Sequence, residues 1–294
     1  MSLTTIVQGR GAALSICRCE RSYIIGERIN PTGKPRLARA LAEKDWGYLQ
    51  DEARRQVAAG ADLIDVNVGA PGLDEVALLP EAVRAVADAV DVPIAVDTDK
   101  VKALAAALAV CPGKPLVNSV SGKAADLSEK LAVVAERGAA MVALCMDDAG
   151  IPGEPQARLA IARCICDAAT ARGIALEDII VDPLVMSVAT DDMAGLQVLE
   201  TIRLVVGELG TNVTGGASNV SFGLPERHRV GAAFLPLAIL AGLNCPITDP
   251  TNDALRFSIA AADLLLGRDG YARGYLGLFR QWSRQRAAVN SRKM

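Results

Sequence analysis

The sequence predicts an α/β fold, a closed (β/α)8 TIM barrel, on three observations. Short apolar, β-rich runs alternate from end to end with alanine- and leucine-rich runs of helical period, a rhythm that calls for parallel strands joined by right-handed crossovers. Eight such pairs fit between residues 23 and 268, close to the roughly 250 residues that a barrel of this kind uses. No Gly-x-Gly-x-x-Gly follows the first strand, which disfavours the doubly wound open sheet.

Taken in order, residues 1–22 form an N-terminal extension that reads as a hairpin around Gly9-Arg10-Gly11. Strands are expected at 23–27, 62–68, 93–98, 115–120, 141–146, 178–183, 211–215 and 245–249. Helices are expected near 44–59, 75–89, 100–110, 124–137, 155–172, 191–209, 229–242 and 251–266. Apolar residues at helical spacing mark them, as in Leu127, Leu131, Val134 and Ala135. Gly60, Gly138, Gly173 and Gly242 sit just past four helix ends, where a left-handed residue is favoured. No linker or composition shift divides 23–268, which reads as one domain. Residues 269–294 read as a basic C-terminal helix or tail, with Arg273, Arg280, Arg284 and Arg286 beside Tyr275, Leu278, Phe279 and Trp282. The plain expectation is an apolar face docked on the barrel and a solvated basic face; a surface for a partner is the sharper one.

Composition excludes several classes. A net charge of −3 and 3% aromatic residues give no nucleic-acid signature. No apolar run approaches the ~20 residues of a membrane helix, and the N-terminus lacks the zones of a signal peptide, so a soluble, cytoplasmic protein is expected. The seven cysteines, Cys17, Cys19, Cys111, Cys145, Cys164, Cys166 and Cys245, are odd in number and scattered, and several lie in apolar runs, so buried free thiols are expected. The Cys-x-Cys pairs are not zinc or redox motifs. With His228 the single histidine, no protein-bound metal is expected.

Catalytic residues of a TIM barrel lie at the C-terminal ends of its strands. Those positions hold Glu27, Arg28 and Asn30; Asp65 and Asn67; Asp97, Thr98 and Asp99; Asn118 and Ser119; Asp147 and Asp148; Asp182; Ser218 and Asn219; Asp249 and Asn252. The set is rich in Asp and Asn and poor in Lys and His. It contains no nucleophile–histidine pair, phosphate loop or Schiff-base lysine. Carboxylates and amides suit a planar heterocycle: an Asp accepts two parallel bonds from an N–H/NH2 edge, and an Asn offers one donor side and one acceptor side. A pterin has such an edge. A single strand-end Asp is otherwise read as a helix N-cap, and that reading is applied to Asp99 and Asp249.

Seven strings in register, IIGERIN (24–30), DVNVG (65–69), VDTDKVKA (96–103), VNSVSG (117–122), GIPGE (150–154), DPLVMSVA (182–189) and GASNVSFGLPER (216–227), resemble the pterin-binding barrels of the methyltetrahydrofolate:corrinoid methyltransferases. That family includes the corrinoid/iron–sulfur protein methyltransferase and the folate domain of cobalamin-dependent methionine synthase. The resemblance covers about residues 23–280. It implies a pterin-binding (β/α)8 barrel and a homodimer. It also implies methyl transfer between N5 of tetrahydrofolate and the cobalt of a corrinoid (cobalamin) carried by a partner protein. Carried over residue by residue, it makes Asp97, Asn118 and Asp182 the ligands of the pterin ring and Asn219 the group that serves N5. Gly216 and Ser218 share the loop of Asn219, and Arg227 closes it. Glu27, Asn30 and Asn67 match other positions of the family strings. Lys100 and Asp147 stand where the family carries asparagine, and either would alter contacts around the ring or the mouth.

The chemistry fits these residue types. The N5–methyl bond of a tertiary amine breaks only if the departing nitrogen gains a proton or a strong hydrogen bond. The nucleophile comes from the partner, so the barrel's task is positioning and charge stabilisation at N5. General-acid assistance of this kind is worth roughly 10²–10⁴-fold. Gly215 and Gly216 are expected to let the backbone approach the ring and to supply unusual dihedrals. His228 reads as a surface residue of a helix start, with a site-related acid as the alternative. Two rival readings are a dihydropteroate synthase-like enzyme and a non-catalytic subunit that binds a pterin or a corrinoid protein. The first would need a lysine and an arginine for pyrophosphate and aminobenzoate, and the DPLVMS segment lacks the glycines and lysine expected there.

Overall fold

The computed structural model describes residues 3–291. An antiparallel hairpin, β1 (Thr4–Val7) and β2 (Leu14–Cys17), comes first. Then follow β3 (Ile25–Ile29), α1 (Pro35–Ala42), α2 (Trp46–Ala58), β4 (Leu63–Val66), α3 (Glu75–Ala89), β5 (Ile94–Asp97), α4 (Val101–Val110), β6 (Leu116–Ser121), α5 (Leu131–Arg137) and β7 (Ala140–Leu144). The chain continues with α6 (Pro155–Thr170), β8 (Ile179–Asp182), α7 (Ala194–Glu208), β9 (Asn212–Gly216), α8 (Arg227–Ala241), β10 (Cys245–Thr248), α9 (Asp253–Leu265) and α10 (Arg273–Ser291). Strands β3 to β10 pair in parallel, each with its sequence neighbour, and β10 returns to β3 to close the barrel. Every strand expected from the apolar runs is present.

Closure produces two apolar layers. Ile25, Leu63, Ala95, Leu116, Ala140, Ile180 and Cys245 point into the barrel. The residues that alternate with them, such as Ile64, Val66, Ile94, Val96 and Val117, pack outward against the helices. Strands buried on both faces need no polar alternation, and LIDV of β4 and IIVD of β8 are buried throughout. The hairpin plugs the N-terminal end. Val7 and Ile16, both 0% exposed, join the inner layer. Asn212 Nδ2 donates to Thr5 Oγ1 at 2.9 Å and to the Ile16 carbonyl at 3.0 Å. One end of the barrel is thus sealed, and the C-terminal end is left for chemistry.

Differences from expectation have local causes. Helix α1 has no counterpart among the expected helices; it is eight residues long, too short to show a helical period, although Pro35 in its first turn is a start signal. The helix expected over 124–137 begins as a π-helical turn at Asp126–Lys130. That turn carries buried Lys130, whose Nζ reaches the Ser119 carbonyl at 3.1 Å. Cys17 and Cys19 form a disulfide with Cα atoms 5.3 Å apart, which corrects the expectation of free thiols for that pair. Cys111, Cys145, Cys166 and Cys245 are buried free thiols as expected, whereas Cys164, on the outer face of α6, is exposed. The four helix-terminal glycines all have positive φ. Helix α10 docks on α9, where Phe257 meets Tyr275 and Trp282 edge-on at 5.7 and 5.9 Å and Trp282 Nε1 donates to Asp253 at 2.9 Å. The first two residues of the expected extension, 1–2, and the last three of the expected tail, 292–294, lie outside the described residues. Among the described residues no helix is long and apolar enough to cross a membrane.

Candidate active site

The period of two along each strand builds the site. One step beyond an inward apolar residue comes an inward polar one: Glu27 after Ile25, Asp65 after Leu63, Asp97 after Ala95, Asn118 after Leu116, Asp182 after Ile180 and Asp249 after Ile247. These side chains line a cavity of about 600 Å³ at the C-terminal end of the barrel. Of the residues singled out in the sequence, Glu27, Asn30, Asp97, Asn118, Asp182, Gly216, Ser218, Asn219 and Arg227 line it.

Three others do not. Asn67 stands behind Asp97, to which its side chain is hydrogen-bonded, and accepts from Gly69 N at 2.7 Å. Lys100 lies outside the cavity, where its Nζ pairs with Glu75 at 2.7 Å. Asp147 is held in a turn by its backbone pairing with Gly150 and by the Ala149 N–H on its carboxylate at 2.9 Å. The helix-cap reading fails for Asp99 and Asp249. Lys100 is the N-cap of α4. Asn252 caps α9, and Asp249 accepts from Thr251 N and Oγ1 at 2.8 and 2.6 Å.

The polar groups are strongly coupled. Asn118 Nδ2 donates to Asp65 Oδ1 at 3.0 Å, and Asp65 is also hydrogen-bonded to Asp97. Burial first, and then the charge of Asp97, push Asp65 well above the usual carboxylate range. Burial also pushes Asp97 up to about 6, against the hydrogen bonds from Asn67 and Asp65 that pull it down. A neighbouring carboxylate charge disfavours ionisation of a second carboxyl. Burial disfavours the charged form of both carboxyls, and both face the cavity. Asp65 is the member of the site that sequence reasoning left without a role; its signal was its place at a strand end beside Asn67.

Asp182 is held by the loop that follows it. Its Oδ1 accepts from Leu184 N at 2.7 Å. Buried Arg158 of α6 clamps the same loop, donating to the carbonyls of Pro183 and Leu184 at 3.0 and 2.9 Å. Burial pushes Asp182 up to about 6, opposed by the Leu184 N–H and Arg158. A raised carboxyl binds a proton in the folded chain that the unfolded chain has already lost, so stability falls as pH rises from about 4 to about 6. At pH 7 the charge on Asp182 therefore costs on the order of 1–3 kcal/mol. Asp182→Asn is expected to be at least as stable as the parent in urea unfolding at pH 7, with the advantage shrinking toward pH 4. A variant less stable at pH 7 than at pH 4, relative to the parent, contradicts this.

The loop after β9 closes the site. Ser218 Oγ donates to Glu27 at 2.5 Å, and Arg227 donates to the Ser218 carbonyl at 2.8 Å. Burial raises Glu27 above its ordinary range, with the Ser218 bond opposing it. Asn219 sits exposed in a 3-10 turn, Ala217–Ser221, rather than on the strand. Neither Gly215 nor Gly216 has a positive φ, so unusual dihedrals do not explain them. Space is tight at both: a Cβ on Gly215 would lie 3.2 Å from Val185, and one on Gly216 would lie 2.8 Å from Asn219 Nδ2 and push that side chain aside. His228 also lines the cavity, as do Arg28, Lys34 and Phe222. Among the described residues no group of three or more His, Cys, Asp or Glu is placed to hold a metal ion.

Comparison with known proteins agrees with this geometry. The sequence model of the family described as pterin binding enzyme matches residues 26–249. A methylcorrinoid:tetrahydrofolate methyltransferase of Eubacterium limosum is 32% identical over 263 residues, covering 88% of this chain and 96% of the relative. A methionine synthase of Mycobacterium tuberculosis is 32% identical over 237 residues, 76% of this chain but 20% of the far longer relative. Among solved structures, dihydropteroate synthase of Yersinia pestis superimposes with a TM-score of 0.67 at 18% identity, covering 90% of this chain and 99% of that one. The Thermus thermophilus dihydropteroate synthase gives 0.66 at 23% identity, covering 88% and 99%. At these identities the two synthases attest the barrel alone. A closed barrel with a carboxylate- and amide-lined mouth, matched by the family model over most of its length, belongs to the pterin-binding enzyme family.

Proposed function

We propose that this enzyme moves a methyl group between N5 of tetrahydrofolate and the cobalt of a corrinoid held by a partner protein. The observation that carries the reading is the cavity's chemistry: Asp97, Asn118 and Asp182 converge at its wall, and Asn219 stands at its rim. The likeness to the methylcorrinoid:tetrahydrofolate methyltransferase over nearly the whole chain supports it.

In this reading the Asp97 and Asp182 carboxylates accept from the N–H edge of the pterin, and Asn118 supplies the complementary donor and acceptor. Asp65 accepts from the Asn118 amide and so orients it. Asn219 adjusts to the state of N5: its amide donates to the neutral or departing nitrogen, and its carbonyl accepts from the protonated one. The corrinoid supplies the cobalt that takes or gives the methyl group. The same contacts serve either direction, because forward and reverse transfer share one transition state. The reading also carries a second copy of this chain and a cytoplasmic setting; exposed Leu196 of α7 and Leu237 and Leu240 of α8 offer apolar surface for that copy.

Fluorescence titration with 5-methyltetrahydrofolate, followed by a Co(I) cobalamin methylation assay, is expected to show saturable binding and then transfer. Binding without transfer would favour a non-catalytic subunit. Condensation of a pterin pyrophosphate with p-aminobenzoate would favour the synthase reading.

A further inference from the structure

Phe222 is 64% exposed although it is a phenyl side chain on the cavity wall. Large apolar side chains are ordinarily drawn into cores, and this one is not needed to hold its loop. Backbone bonds do that: the Phe222 N–H donates to the Asn219 carbonyl at 3.0 Å, and the Phe222 carbonyl accepts from Ser187 Oγ at 2.6 Å. Arg227 covers one side of the ring, its guanidinium carbon 5.2 Å from the ring centroid. Among the described residues, Phe222 is the only Phe, Tyr or Trp on the cavity lining.

Its position relative to Asn219 gives this ring a task. Residues three apart in a 3-10 turn lie on the same side, and Phe222 follows directly on the turn that carries Asn219. In a tetrahydrofolate, the carbon bonded to N5 on the outward side, C6, bears the methylene–amino–benzoyl arm. A group beside the residue that serves N5 therefore flanks the start of that arm. We infer that Phe222, backed by Arg227, is the stacking platform for the p-aminobenzoyl arm and makes the site selective for whole folates over bare reduced pterins. Offset and edge-on aromatic pairs favour such a contact, and the cation behind the ring fixes its orientation. This rests on the reading of Asn219 at N5.

The test compares two probes on the full chain by equilibrium titration: 5-methyltetrahydrofolate, and 5,6-dimethyltetrahydropterin, which keeps N5 and its methyl group but lacks the arm. The parent is expected to prefer the folate. Phe222→Ala is expected to weaken folate binding about 10-fold and to leave the arm-less pterin within about twofold, while Phe222→Trp restores the preference. An exposed side chain can be removed with little effect on folding, so unfolding curves should coincide. Equal losses for both probes, or unchanged folate binding with slower transfer to a corrinoid protein, would overturn the inference alone. A parent that binds neither probe overturns the proposed function with it.

Discussion

Asn219→Ala is expected to slow single-turnover methylation of Co(I) cobalamin by about 10²-fold or more, the usual effect of losing a preorganised hydrogen-bonding group at a developing charge. Equilibrium binding of folate should fall much less. The reason is differential: the contact to N5 is only partly made with the neutral substrate and strengthens as charge builds, so its loss appears in kcat. The side chain is exposed and makes no contact that the fold depends on, so the thermal midpoint should not move. Gly216→Ala offers an independent check. Its Cβ would press on Asn219 Nδ2 at 2.8 Å, and the end of a flexible side chain yields easily. Folding should survive, and transfer should slow because Asn219 is displaced. If Asn219→Ala transfers methyl at the parent rate with saturating folate, the loop only binds and the role given to N5 assistance is wrong.

Asp182→Asn and Asp97→Asn are expected to weaken folate binding by about 10- to 150-fold each, since a hydrogen bond to a charged group is worth about 1.5–3 kcal/mol. In each variant an accepting oxygen becomes an amide that faces a donor. The Asp182 variant separates binding from folding, because its stability at neutral pH should hold or rise while affinity collapses. Buried groups kept charged against their surroundings are common at functional sites. Binding should also strengthen as pH rises through about 6, where both carboxyls lose their protons, and that dependence should flatten in the variants. Isothermal titration across pH values from about 5 to about 8, spanning the ordinary and raised carboxyl ranges, reads both quantities. Unchanged affinity in both variants would remove these residues from the pterin contact.

The order and type of the barrel elements were legible because each strand is an apolar run between turn residues and each helix shows its own period. The two shortest or least regular pieces were not. Pro35–Ala42 spans about two turns, and the π-helical turn at Asp126–Lys130 has no periodic signature of its own. At the rim, residue type and strand-end position were enough to bring forward Asp97, Asn118, Asp182 and Asn219. Strand-end position also brought forward Asp147, and the family resemblance brought forward Lys100; the fold hands these to a local turn and to Glu75. Residue type and position left Asp65 unassigned and gave no reason for an exposed ring at Phe222.

By itself, then, the chain determined which segments become strands and which polar residue types meet at the open end. Only the tertiary structure decided which of those residues face the cavity and which of them are buried against one another. The physical reason lies in the strands themselves. A strand buried on both faces has apolar residues at every position, so its sequence carries no alternation to say which parity points inward. Closure of the barrel settles that parity. It turns Leu63, Asp65, Ala95 and Asp97 to one side, and it buries two carboxyls of neighbouring strands together, which raises both of them.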